Sequence, residues 1–261
     1  GGGIGAHVDQ YDVLLVQGVG ARRWRISTDP HAPKDFRDDV GLKLLREFTP
    51  THEWLLGPGD ALYLPPGVPH EGTAIGACTT FSIGMRAPAQ AELLLDLAES
   101  LAEPLGEELR YVDPNLQPAR NAGEIDAKSI ARAAQAIERL FEIDNAALAD
   151  WFGSFITRYR SAQDAAPTTQ ALAPDELAGR LPKANLLRHP WSRFAWRRAG
   201  RGARLFVAGQ SYDCSPALAR MLCAQREYAG AALARLCTNA PARTVLAALV
   251  NAGHLHLLRK R

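Results

Sequence analysis

The feature that most constrains this chain is a change of residue pattern at Pro88. Before it, short apolar runs rich in Val, Leu and aromatics are punctuated by Gly and Pro. After it come long runs of strong helix formers with apolar residues at helical spacing. A chain of this texture cannot form one regular architecture throughout. Residues 1–88 predict a β-rich unit, and "AQAELLLDLAESLAE", "DAKSIARAAQAIERLFEI" and "NAALADWFGSFITRYRS" predict helices in series over 89–163. "SAQDAAPTTQALAP" reads as a linker. Residues 175–261 then form a third unit. "RLFVAGQSYDC" predicts a hairpin turning near Gly209, and "PALARMLCAQ" and "YAGAALARLC" predict helices. "ARTVLAALVNAG" is a helix closed by Gly253, and "HLHLL" is a final strand. The fold class is α+β, with a winged-helix-like C-terminal module.

Composition removes several function classes. The formal net charge of the 261 residues is only +2, which gives no global attraction to nucleic acid. Cys78, Cys214, Cys223 and Cys237 form no CxxC pair and predict free thiols in a reducing compartment. No apolar run reaches a membrane span of roughly 20 residues, and no signal peptide is visible. A cytoplasmic location is expected.

Within the β-rich unit, "YDVLLVQGVGARRWRI" predicts two strands joined by a hairpin turn at Gly18-Val19-Gly20. His7 and Asp9 lie just upstream. Two residues apart on a strand, they share a face, so an imidazole and a carboxylate can converge. An isolated HxD is a weak signal. Its value comes from "PGDALYLPPGVPHEG", a cupin-type G-D-x-x-Y-x-P-x-x-x-x-H pattern in which Pro65-Pro66-Gly67 stiffens the approach to His70. Two histidines and one carboxylate make the facial triad of non-haem iron(II), which leaves three positions open for a bidentate 2-oxo acid and dioxygen. His31, His52, His189, His254 and His256 lack such a pattern and read as structural or solvated.

A 2-oxo diacid needs a cation for its distal carboxylate, and a guanidinium matches it as a two-pronged donor. Alternation lets only one of Arg22 and Arg23 face inward. Arg22 is the preferred anchor, Arg86 the competitor. Under the hairpin reading Arg22 pairs near Val16, too far from His7 on a straight strand, so a bend is expected at Asp9–Asp12. Thr80 and Ser82, on the strand after His70, share a face and can donate hydroxyls to the same carboxylate.

These segments, "GGGIGAHVDQYDVLLVQGVGARRWRI", "PGDALYLPPGVPHEG" and "FSIGMRAP", resemble the JmjC-type ribosomal oxygenases. They are similar to the bacterial branch, which hydroxylates an arginine of a large-subunit ribosomal protein. The strong matches cover about the first third. The helices and "LFVAGQSYD…VLAALVNAGHLHLL" resemble that family's dimerisation region and winged-helix-like module. The resemblance implies a cupin (double-stranded β-helix) barrel and a homodimer formed through the helical region. It implies iron(II) at His7, Asp9 and His70, and 2-oxoglutarate anchored by Arg22, with Arg22 favoured over Arg86. The implied substrate is a ribosomal protein. In that family a sizeable segment precedes the glycine run, so residues 1–88 are expected to be the C-terminal portion of the barrel.

Asp38 and Asp39 are acidic candidates for contact with a substrate arginine, though a solvated loop is the preferred reading. "RHPWSRFAWRRAGRGAR" holds six arginines and no acid and could touch RNA. Packing of its aromatics on the third unit is preferred. Two other functions compete: a cupin metalloenzyme of different chemistry, and a ligand-sensing regulator with a C-terminal DNA-binding module. Arg243 and Arg235, single cations on their respective helices, argue against the regulator. An inactive remnant persisting as a helical dimer is the third alternative.

Overall fold

The computed structural model describes residues 1–106, 108–112, 121, 123–160 and 163–259. It divides into two compact units, residues 1–89 and 90–261. Ser161 and Ala162, the first residues of the expected linker, lie outside the described residues.

The first unit holds five antiparallel strands: β1 (His7–Val8), β2 (Asp12–Ile26), β3 (His52–Leu56), β4 (Ala61–Leu64) and β5 (Pro69–Met85). The order is β1-β5-β2-β3, with β4 also pairing β2. Val13, Leu15, Trp24, Ile26 and Leu64 form its buried core. The opposite face of the sheet exposes Phe81 and Ile83.

The expected hairpin at Gly18-Val19-Gly20 does not occur. Residues 12–26 run as one strand, paired with β5 from Asp12↔Met85 to Ile26↔His70. The glycines serve bulges instead. Gln17 pairs with Thr80 and Val19 with Thr79, so β2 gains one extra residue; Ala21 then pairs with Ile75, so β5 gains two. Gly20 has φ +66°, and a Cβ there would lie 2.2 Å from the Ala77 carbonyl oxygen. Only glycine fits both the backbone angle and the approach of β5.

The bulges decide which side chains face the core. Val13, Leu15 and Gln17 are buried at alternate positions of β2. Strict alternation would continue that face through Arg23. The single extra residue transfers it to Arg22, Trp24 and Ile26, while two extra residues leave the parity of β5 unchanged. Arg23 therefore lies outside, about half exposed, paired with Glu53 at 3.1 Å.

The second unit begins with α1 (Gln90–Ala102), α2 (Ala127–Leu140) and α3 (Asn145–Arg158). Asp126 and Asp144 cap the last two by accepting backbone N–H bonds from Ser129 and from Ala146 and Ala147. It continues through α4 (Pro174–Arg180), β6 (Ala184–Arg188), β7 (Phe194–Ala199), β8 (Gly202–Val207) and β9 (Gln210–Cys214). The chain then forms α5 (Pro216–Ala224), β10 (Glu227–Ala229), α6 (Gly230–Leu236), α7 (Ala240–Asn251) and β11 (Leu255–Arg259). Two three-stranded sheets, β10-β6-β11 and β7-β8-β9, flank the helices. One apolar core joins Leu177, Leu186, Leu205, Leu218, Leu246 and Leu249. The β8–β9 hairpin, α5, α7 and the last strand lie in their expected segments, whereas Tyr228 and Ala229, expected in a helix, belong to β10 and α6 begins only at Gly230.

All four cysteines are free. Burial pushes the Cys214, Cys223 and Cys237 thiols up to about 11, which makes them packing groups rather than nucleophiles.

Candidate metal and co-substrate site

The short β1 lies against β5 so that His7 is directly opposite His70. Their ring centroids are 4.2 Å apart. Asp9 follows on the same face as His7. Its Oδ2 stands 3.9 Å from Nε2 of each histidine, and one donor atom from each of the three residues lies within 4.8 Å of the others. The proline-glycine turn sets this up. Gly67 has φ +80°, and its N–H donates to the Asp9 carbonyl at 2.8 Å. The two ligand-bearing segments are thus tied together through backbone.

Each histidine is oriented by a backbone carbonyl two residues upstream: His7 Nδ1 by Gly5 and His70 Nδ1 by Val68, both at 2.9 Å. A neutral ring donating from Nδ1 keeps the Nε2 lone pair for a metal, with the ring held by its outer bond. Burial lowers the His70 pKa, with the Val68 carbonyl opposing and His7 contributing to the decrease. The ring is thereby kept in the neutral form a metal requires. Two imidazoles and one carboxylate converging on one point suit a divalent iron-type ion with open positions.

Arg22 lies on the same inner face, one indole away. Its guanidinium carbon is 5.8 Å from the Trp24 ring, whose centroid is 6.1 Å from that of His70. Nε donates to Thr80 Oγ1 at 3.0 Å, Nη1 to the Gly72 carbonyl at 3.2 Å and Nη2 to Cys78 Sγ at 3.7 Å. A guanidinium has five N–H donors, so three orient it and two remain for a bidentate carboxylate. Trp24 packs against Gly72, where a Cβ would come within 2.6 Å of the ring.

Arg86 lies elsewhere. It is exposed, with its guanidinium carbon 5.6 Å from the Tyr11 ring. Thr80 joins the Arg22 cluster, whereas Ser82 is exposed and no described bond links it to Arg22. Asp38 and Asp39 are engaged by Arg46 and Arg37. Among the other histidines, His52 stacks on Trp54, His254 bonds Ser192 and His189 lies against His256.

Much of the basic stretch is spent on structure. Arg193 donates to the Tyr159 carbonyl, Arg197 pairs with Asp150, and the Arg188 guanidinium carbon lies 5.3 Å from the Phe194 ring.

Sequence reasoning missed Gln17, which is 1% exposed. Its Nε2 donates to the Val19 and Gly20 carbonyls, and its Oε1 accepts from Thr80. The available signal was a polar residue in phase with Val13 and Leu15.

The strand arrangement, the His-Asp-His cluster and the C-terminal module define a cupin-type JmjC domain followed by a winged helix. Family profiles agree: one for the JmjC domain matches residues 1–93, and one for a ROXA-like winged helix matches 138–256. An AraC-like ligand binding domain profile also matches residues 51–173. That match omits His7, Asp9 and Arg22.

The chain belongs to the JmjC-type ribosomal oxygenase family. It is 33% identical over 264 residues to ribosomal protein uL16 3-hydroxylase of Escherichia coli, covering 97% of this chain and 67% of that protein. A probable ribosomal oxygenase of Haemophilus influenzae is 37% identical over 95 residues, covering 36% of this chain and 24% of that protein. The solved structure of YcfD, a ribosomal oxygenase from Escherichia coli, superposes with TM-score 0.74 at 30% identity, over 98% of this chain and 67% of that one. The same relative in complex with cobalt and 2-oxoglutarate gives TM-score 0.73 at 29% identity, with the same shares of the two chains covered.

Proposed function

We propose that this chain is an iron(II)- and 2-oxoglutarate-dependent oxygenase that hydroxylates a protein side chain, an arginine of a 50S ribosomal protein being the preferred substrate. The convergence of His7, Asp9 and His70 within 4.8 Å carries the reading. The relatives' activity and the cobalt and 2-oxoglutarate held by the solved relative support it.

In this reading His7 Nε2, His70 Nε2 and an Asp9 carboxylate oxygen hold the metal. Arg22 receives the distal carboxylate of 2-oxoglutarate on its two remaining N–H groups, and Thr80 fixes the guanidinium. Bound iron supplies the oxidising chemistry that converts 2-oxoglutarate and dioxygen to succinate and carbon dioxide while hydroxylating the substrate. The residues' task is to orient ligands and co-substrate, with burial keeping the His70 imidazole neutral.

A homodimer through the helices of residues 89–163 fits the exposure of Leu95 (70%), Ile130 (59%) and Ile137 (55%). A cytoplasmic location fits the free cysteines. No helix among the described residues is long and apolar enough to cross a membrane.

The test is iron-dependent formation of succinate from 2-oxoglutarate, with and without a ribosomal-protein peptide containing arginine. Turnover stimulated by the peptide and accompanied by a 16 Da mass gain on it (one oxygen atom, about the size expected for a single hydroxylation) supports the proposal. Absence of both metal and 2-oxoglutarate binding overturns it.

A further inference from the structure

We propose that Gln17 is a positioning residue for the co-substrate anchor: it sets the direction of a hydrogen-bond relay that fixes Arg22. The proposal rests on the reading of Arg22 as the 2-oxoglutarate anchor.

The relay has one possible polarity. The Val19 and Gly20 carbonyls can only accept, so the Gln17 amide nitrogen faces them, at 2.9 and 3.2 Å. Its oxygen must then face Thr80, and it accepts the hydroxyl proton at 2.7 Å. A threonine hydroxyl has one proton. With that proton committed to Gln17, Thr80 Oγ1 presents a lone pair, and Arg22 Nε–H donates to it at 3.0 Å.

Burial makes this assignment firm. Gln17 is 1% exposed, so water does not compete for its amide. The group sits in the bulge that transfers the inner face to Arg22. One side chain therefore closes the bulge carbonyls and orients the arginine that the bulge turns inward. With an apolar residue at 17, Thr80 is free to rotate and to aim its proton toward Arg22, and the guanidinium loses its fixed Nε partner.

The alternative role is purely local: Gln17 satisfies the bulge carbonyls and nothing more. Thr80→Val separates the two, because it cuts the relay while leaving the bonds from Gln17 to the bulge. Titration calorimetry gives the Kd of 2-oxoglutarate in the presence of manganese(II), and manganese(II) affinity is measured separately without 2-oxoglutarate. Gln17→Met and Thr80→Val are each expected to raise the 2-oxoglutarate Kd by roughly tenfold. The double variant should be little worse than either alone, manganese(II) affinity should stay unchanged, and Thr80→Ser should restore wild-type binding. Wild-type 2-oxoglutarate affinity in Thr80→Val overturns the relay, as does an equal loss of manganese(II) affinity. If Gln17→Met does not fold, Gln17→Asn takes its place, because the shorter amide cannot span the bulge carbonyls and Thr80 together; wild-type 2-oxoglutarate affinity in the Gln17 variant overturns the proposal. Arg22→Gln is the control: if it leaves 2-oxoglutarate binding intact, the anchor reading fails and the relay falls with it. If Arg22→Gln weakens binding and Thr80→Val does not, only the relay fails.

Discussion

His7 and His70 are opposed across antiparallel strands, each with Nδ1 held by the carbonyl two residues before it and Nε2 turned toward Asp9. The two rings are thus oriented by the same local device, from segments more than sixty residues apart in sequence. Asp9 supplies the only carboxylate of the cluster among the described residues.

Removing that carboxylate should weaken metal binding severely. Asp9→Ala is expected to weaken manganese(II) or iron(II) binding by at least about 100-fold, since loss of even an outer partner costs roughly 10–100-fold. Calorimetric titration of the metal checks it. Thermal melting without metal should change little, because Asp9 is partly exposed.

Arg22 and Arg23 should behave oppositely despite being neighbours. Arg22→Gln is expected to raise the 2-oxoglutarate Kd by about 10–100-fold, the value of a charge-assisted bidentate contact. Arg23→Gln removes an exposed ion pair with Glu53 and should leave the Kd within about twofold. Arg86→Gln should match Arg23→Gln. Binding titrations on the three variants separate the two candidate anchors.

Gly72→Ala places a methyl group within 2.6 Å of the Trp24 ring. Overpacking there should destabilise the first unit by about 1–3 kcal/mol. It should also weaken 2-oxoglutarate binding, because Trp24 lies between Arg22 and His70. Denaturant unfolding followed by tryptophan fluorescence measures the first effect, and calorimetry the second.

His254 gives the second unit a pH dependence. It is 7% exposed and bonded to Ser192 at 2.8 Å. Burial lowers its pKa, His189 adds to the decrease and Asp164 opposes it. A histidine whose folded pKa lies below its unfolded value binds fewer protons when folded. Its contribution is therefore present above the unfolded value of about 6.5 and lost as pH falls through the folded one. Melting temperature should decline from pH 7 to pH 5, and His254→Gln should flatten that decline. An unchanged slope in the variant would show that another group controls it.

The legible parts of this protein were local. Pro and Gly punctuation followed by helix formers marked the change from strands to helices near residue 88. The ordered recurrence of HxD and G-D-x-x-Y-x-P-x-x-x-x-H named the three residues that meet in space, because each motif is a short segment whose backbone geometry its own residues dictate. Gly209 and Gly253 marked a turn and a helix end for the same reason. The hairpin at Gly18-Val19-Gly20 was misread because glycine permits a turn and a bulge equally. Only pairing with β5 selects the bulge, and that strand lies some fifty residues away. The face on which Arg22 sits, the distinction between it and Arg23, and the recruitment of Gln17 all depend on one extra residue in that register. Alternation along a strand is fixed by covalent geometry, so the sequence by itself determines which residues share a face only up to the first bulge. Beyond it, the tertiary hydrogen-bond register decides.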